Sequence, residues 1–163
     1  MRQRHVLPGC VGLREVALGS VALVTESWAS SDHARRSMQG NRSRDTAPEL
    51  AVRRLVHAMD LRYRVNARPL PTLRRTADLV FTRQRVAVFI DGCFWHGCPD
   101  HHRQPSANAD YWAAKVARNR ARDAATDEAL RAAGWTVLRC WAHQPPAEVA
   151  EAVRAAVTGT QPG

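Results

Sequence analysis

Apolar positions along this chain fall into short blocks set between polar, arginine-rich stretches, and their period changes from block to block. The first block follows "TAPEL". There Thr46 stands as an N-cap, Pro48 lies in the first turn, and Glu49 falls three residues on, the spacing of a capping box. Leu50, Leu55, Val56 and Met59 supply the expected buried stripe of that helix. "MDLRYRVNARPLP" reads as a short strand and a proline-bounded loop. "TADLVF" and "RVAVFI" are strand-length apolar runs separated by Thr82, Arg83 and Gln84, and they predict a β-hairpin. "ADYWAAKVARNRARDAATDEALRAAG" predicts a long helix stopped at Gly134. "WTVLRCW" predicts a further strand, and residues 145–157 a last helix opening at Pro145-Pro146. The order is helix, strands, long helix, strand, helix. It implies one α/β domain, a small mixed sheet between helices, over residues 46–158.

The segments before that domain lack such a period. In residues 1–27 the apolar run is interrupted by Arg14 and Glu15, which makes a poor signal peptide and no membrane helix. A disordered tail or an over-extended gene start is the expectation there. Residues 28–45 are polar and basic and read as an arm that orders on binding.

Charge sharpens this picture. The chain of 163 residues carries a formal net charge of +9, and all but one (Lys115) of its 24 basic residues are arginine. Such a field favours an anionic partner, nucleic acid above all, although a coding bias toward arginine would leave the same mark. Four cysteines are too few and too unevenly placed for a disulfide scaffold. The expectation is a reducing, cytoplasmic setting, with Cys140 packed in its strand and no attachment to a membrane.

Chemistry concentrates in "FIDGCFWHGCPDHH", residues 89–102. Cys93, Cys98 and His101 can wrap one tetrahedral ion, and His143 is the natural fourth ligand if the end of "WTVLRCW" lies beside the end of "RVAVFI". His102 competes with His101 for its place. Cys-Cys-His-His is a closed zinc set of the structural kind. Asp78, on an otherwise apolar strand, is costly to bury unless it binds a cation such as Mg²⁺. His96 reads equally as a general base or as a zinc ligand in place of one of those four. Phe94-Trp95 reads either as packing against the metal site or as a wedge that unstacks a duplex.

The runs "RSMQGNRSRDTAPE", "ADLVF", "VAVFIDGCFWHGCPDH", "YWAAKVARNRARD" and "GWTVLRCWAH" together resemble the very-short-patch-repair (Vsr) mismatch endonucleases, over roughly residues 31–145. The resemblance implies a restriction-endonuclease-like fold. It also implies a bacterial enzyme that nicks duplex DNA beside the T of a T·G mismatch by Mg²⁺-dependent hydrolysis. Position by position, it makes Asp78 the Mg²⁺ ligand, with the backbone carbonyl of Ile90 also reaching that metal. His96 becomes the general base, and Glu49 the acid that helps hold the metal's water. Phe94, Trp95 and Met38 match the residues inserted into the duplex, and Lys115 and Asn119 match helix residues facing the DNA near the mismatch. Cys93, Cys98, His101 and His143 fall on or near the structural zinc positions, and Asp91 stands where some members have histidine. The arm's Arg35, Arg36, Arg42 and Arg44 are placed to grip phosphates. One active site acting on one strand is compatible with a monomer. Two rivals remain: a zinc-stabilised DNA-binding module without catalysis, and a nuclease of the same fold acting on another DNA substrate.

Overall fold

The computed structural model describes residues 44–159. Met38, Arg35, Arg36 and Arg42, with residues 1–27 and most of the expected arm, lie outside the described residues. The order of elements is α1 (Ala47–Ala58), β1 (Arg64–Ala67), β2 (Ala77–Phe81), β3 (Val86–Asp91), a single turn α2 (Cys93–His96), α3 (Ala109–Ala132), β4 (Thr136–Trp141) and α4 (Pro146–Gly159). Among the described residues, no helix is long and apolar enough to cross a membrane.

The four strands form one mixed sheet in the order β1-β2-β3-β4. β1 and β2 pair antiparallel, as do β2 and β3, which is the expected hairpin. β4 pairs parallel with β3, so that Phe89 faces Arg139 and Asp91 faces Trp141. A parallel neighbour needs a long crossover, and the 24-residue α3 supplies it. The inner strands are nearly all apolar because helices cover both faces of the sheet.

Alternation along each strand divides the core in two. Val86 and Val88 of β3 and Cys140 of β4 face α1 and α4, where they meet Val52, Val56, Val149 and Val153. Ala87 and Phe89 face the other way, toward Leu130 of α3 and Trp135. The same period of two puts Asp91 and Arg139 on the α3 side of the sheet. The end of α3 is capped as expected. Gly134 (φ 77°) is left-handed, its N–H donates to the Arg131 carbonyl, and the Trp135 N–H donates to the Leu130 carbonyl.

The expected stripe of α1 holds at Val56, which is fully buried, and at Met59, which packs against the same core; it is corrected at Leu50 and Leu55. Leu50 and Leu55 are each 37% exposed, whereas Glu49, Val52, Arg53 and Val56 are buried. Packing of Val52 and Val56 in the core shared with α4 sets the rotation of the helix. That rotation carries Glu49 and Arg53 inward as well. The capping box is corrected too, since Thr46 makes no side-chain cap to the helix. Its hydroxyl donates instead to Glu49 Oε1 (2.8 Å), and Glu49 Oε2 accepts the Asp45 N–H (2.9 Å). The turn α2 was legible in the sequence only as a metal loop.

That turn depends on Gly97, which closes it at φ 66°, where a Cβ would stand 2.7 Å from Val116 Cγ1 of α3. Gly97→Ala should therefore lower stability by about 2–3 kcal/mol, combining left-handed strain with a clash against a packed methyl. Denaturant unfolding checks this.

Candidate active site

The β1–β2 connection, the whole of α2 and the residues after β4 all leave the sheet at one end. This follows from the strand directions. A cleft of about 490 Å³ opens there, lined by Glu49, Asp78, Ile90, Asp91, His96 and Arg139 among others. Sequence candidates from α1, β2, β3 and α2 thus share one cavity.

Asp78 is fixed by a hydrogen bond from the Ile90 N–H to its Oδ2 (2.7 Å). Burial pushes its carboxyl up to about 6, helped by the negative charges of Glu49 and Asp91 and opposed by the Ile90 bond and Arg53. A carboxylate so placed fits a cation ligand, because a cation relieves both its desolvation and its acidic neighbours. Glu49 is 4% exposed and already occupied: besides Thr46 and the Asp45 N–H, it accepts from Arg53 at 2.9 Å. Arg53 also reaches Asp45, and its own carbonyl accepts the Tyr63 hydroxyl at 2.8 Å.

His96 lies 2.6 Å through Nδ1 from Asp123 Oδ2 and 3.6 Å from Asp91 Oδ1. A carboxylate can only accept, so Nδ1 is the donor of this pair, and Nε2 is the ring nitrogen that Asp123 does not engage. Arg139 holds these acids in place. Its Nη1 donates to both oxygens of Asp91 (2.9 and 2.8 Å), and its Nε donates to Asp127 Oδ1 (2.9 Å). Its Nη2 lies 3.8 Å from Asp123 Oδ1, and its guanidinium stacks 4.4 Å from the centre of the Phe89 ring. Burial works against the Arg139 charge, yet Asp91, Asp127 and Asp123 together hold its pKa above the ordinary arginine range. Sequence reasoning left Arg139 out and gave Asp91 no certain role. The signal was present: a lone arginine inside the apolar strand "WTVLRCW" must find acids when buried.

One face of α3 clamps α2. Lys115 Nζ stands 5.3 Å from the Trp95 ring centre and 5.4 Å from that of Trp112. Asn119 Nδ2 donates to the Trp95 carbonyl (2.8 Å), and Asp123 holds His96. Residues spaced by four thus grip successive parts of a single turn. Phe94 and Trp95 are half-buried, each packed against Trp112, with ring centres 5.2 and 5.9 Å away. Arg44 is exposed beside Asp45 at the entrance to α1.

The ligand atoms of Cys93, Cys98, His101 and His143 all lie within 4.8 Å of one another. Cys93 Sγ is 3.1 Å from His143 Nδ1, and Cys98 Sγ is 3.8 Å from His101 Nδ1. Donors on a tetrahedral ion at ordinary bond lengths stand about 3.3–3.8 Å apart, so the set fits one ion with modest tightening. His102 is not in the set; its Nδ1 is buried without a partner among the described residues, and its ring packs toward Phe94. His96 is likewise outside it, turned to Asp123. Cys140 is buried in the core, as expected.

Residues 29–103 match the family model described as DNA mismatch endonuclease Vsr. The chain is 47% identical over 124 residues to the type II nicking enzyme V.NaeI of Lentzea aerocolonigenes, covering 75% of this chain and 73% of that protein. It is 42% identical over 113 residues to the type II nicking enzyme V.XorIIP of Xanthomonas oryzae pv. oryzae, covering 69% of this chain and 81% of that one. It is 34% identical over 116 residues to the DNA mismatch endonuclease Vsr of Escherichia coli strain K12, covering 68% and 70%.

Two outcomes follow from this geometry. The Asp78 carboxyl titrates near 6 when folded against an ordinary 3.8, so the folded state binds the proton more tightly. Its favourable contribution is present below about 3.8 and lost as pH rises through about 6. Metal-free Asp78→Asn should therefore be more stable than wild type at neutral pH by about 1–3 kcal/mol, an advantage that vanishes toward pH 4. Thermal unfolding across pH measures it. Arg139→Ala strands Asp91 and Asp127, which are each 8% exposed. It should cost about 2–4 kcal/mol, read by denaturant unfolding.

Proposed function

The chain belongs to the Vsr family of DNA mismatch endonucleases and hydrolyses DNA phosphodiester bonds, and from that premise we propose that it nicks one strand of duplex DNA beside the T of a T·G mismatch. The observation that carries this reading is the single turn α2. It joins His96, turned into the acidic cleft, to Phe94 and Trp95 on the adjoining surface. A catalytic group and an aromatic wedge on one rigid turn link hydrolysis to distortion of the duplex. A mismatched step costs less to distort than a matched one. The similarity to nicking enzymes and to a DNA mismatch endonuclease supports both halves of the proposal, nicking and mismatch.

Asp78 and the Ile90 carbonyl would hold Mg²⁺, which when bound supplies charge stabilisation at the scissile phosphate. His96 Nε2 accepts the proton of the attacking water, while Asp123, in turn set by Arg139, holds the ring in place. Glu49, locked by Arg53 and Thr46, would help hold the metal's water. Lys115 and Asn119 hold the wedge and face the DNA at the mismatch. Arg44, and Arg35, Arg36, Arg42 and Met38 before it, contact the duplex as a basic arm and third apolar insertion. Cys93, Cys98, His101 and His143 would hold Zn²⁺ in a closed set that ties α2 to the residues after β4. One copy suffices for one strand, and the setting is the bacterial cytoplasm.

The test is strand-resolved nicking of labelled duplexes carrying T·G or T·A in a randomised context. Wild type with Mg²⁺ should nick only the mismatched T strand, and Asp78→Asn should fall by at least about a hundredfold. No nick with retained mismatch binding would mean a binding module, and cleavage that ignores the mismatch would mean another substrate. His96→Ala should abolish nicking while leaving one bound zinc and the unfolding temperature intact. Loss of zinc in that variant, by metal analysis, would make His96 a ligand instead of the base.

A further inference from the structure

The floor of the cleft is acidic, with Glu49, Asp78 and Asp91, and it must nevertheless accept a phosphodiester. The arginines close to these acids are already occupied: Arg53 by Glu49 and Asp45, Arg139 by Asp91 and Asp127. Three others line the same cleft in a different state. Arg68, Arg74 and Arg75 are exposed, and no acid of the described residues lies within ion-pair distance of them. They all belong to the β1–β2 connection, residues 68–76.

That connection is fastened. Pro69 is buried, Leu70 and Leu73 pack against the Leu130–Trp135 core, and the Leu73 N–H donates to the Leu70 carbonyl at 3.2 Å. Ala67 and Ala77 pair across its base. Three guanidinium groups therefore project from a fixed platform, and less order is lost when they engage a ligand. The sheet order sets their position. The connection leaves from the β1 edge, while α2 and the cysteine-histidine cluster sit at the β3–β4 side, with Asp78 and Ile90 between.

We propose that Arg68, Arg74 and Arg75 form a phosphate clamp that grips the DNA backbone flanking the scissile phosphate, on the side of the cleft away from the cysteine-histidine cluster. The proposal rests on this chain's action on DNA and not on mismatch selectivity. The clamp supplies the positive charge that the floor lacks and fixes the strand in register with Asp78 and His96. Being directed at phosphates, it reads no sequence.

The experiment measures affinity of the full chain for a fully matched duplex by fluorescence anisotropy. Ca²⁺ replaces Mg²⁺, and salt is varied between about 50 and 200 mM. Relative to wild type, R68Q/R74Q/R75Q should flatten the slope of log affinity against log salt by about 2–3 and weaken binding about a hundredfold near 0.1 M salt. Each single glutamine variant should remove about 0.9 of slope. R68K/R74K/R75K, which keeps the charge, should retain most of it. In nicking assays the DNA concentration for half-maximal rate should rise much more than the rate at saturating DNA falls. An unchanged slope in the folded glutamine variant would reduce these arginines to a solvated rim and overturn the clamp. Equal losses in the lysine and glutamine variants would also overturn it, by making the role structural. A wild type that nicks T·G and T·A alike would defeat the mismatch reading and leave this test intact.

Discussion

The parallel pairing of β3 with β4 is the constraint from which the rest of the site follows. It sets Asp91 opposite Trp141, and the Ala142 N–H continues the ladder by donating to the Asp91 carbonyl at 2.9 Å. The chain leaving β3 and the chain leaving β4 therefore emerge side by side. The first carries Cys93 and Cys98, the second His143, and His101 completes the set. The same register places Asp91 and Arg139 on the α3 side, within reach of the acids of that helix. A slip of one residue would turn Arg139 to the opposite face and undo the acid cluster. It would also shift His143 away from Cys93.

Electrostatics then divides the arginines by duty. Arg139 and Arg53 are buried or half-buried and tie down carboxylates that would otherwise repel one another. The exposed arginines of the β1–β2 connection have no such partners among the described residues. Asp78 stands between these regimes: fixed by one backbone N–H and flanked by acids, it is strained as a free carboxylate. That strain suits a cation ligand.

Much of this was legible in the sequence because each signal was local. The hairpin, the crossover helix with its Gly134 stop, and the Cys-x₄-Cys-x₂-His spacing need no long-range knowledge. The partnership of His143 with Cys93 was reachable because both follow strands that can pair. The full face of α1 was not: beside Val56, Leu50 and Leu55 fit a helical stripe as well as Val52 does. Only packing against α4 decides between them, and it buries the pair Glu49 and Arg53 as well. Arg139 was missed for a related reason, since its three acids come from two other elements, Asp91 from β3 and Asp123 and Asp127 from successive turns of α3. The spacing of four puts Lys115, Asn119 and Asp123 on one face of α3. That the face grips α2 itself, through Trp95 and His96, depends on how the crossover lies over the sheet.

In the proposed function, one turn couples hydrolysis to the mismatch. A crystal structure of the full chain with a T·G duplex and Ca²⁺ tests it most directly. The scissile phosphate should lie in the cleft between Asp78 and His96, with Phe94 and Trp95 withdrawn from Trp112 and inserted at the mismatched step. A duplex seated on another face, with Trp95 still packed on Trp112 beneath Lys115, would contradict it.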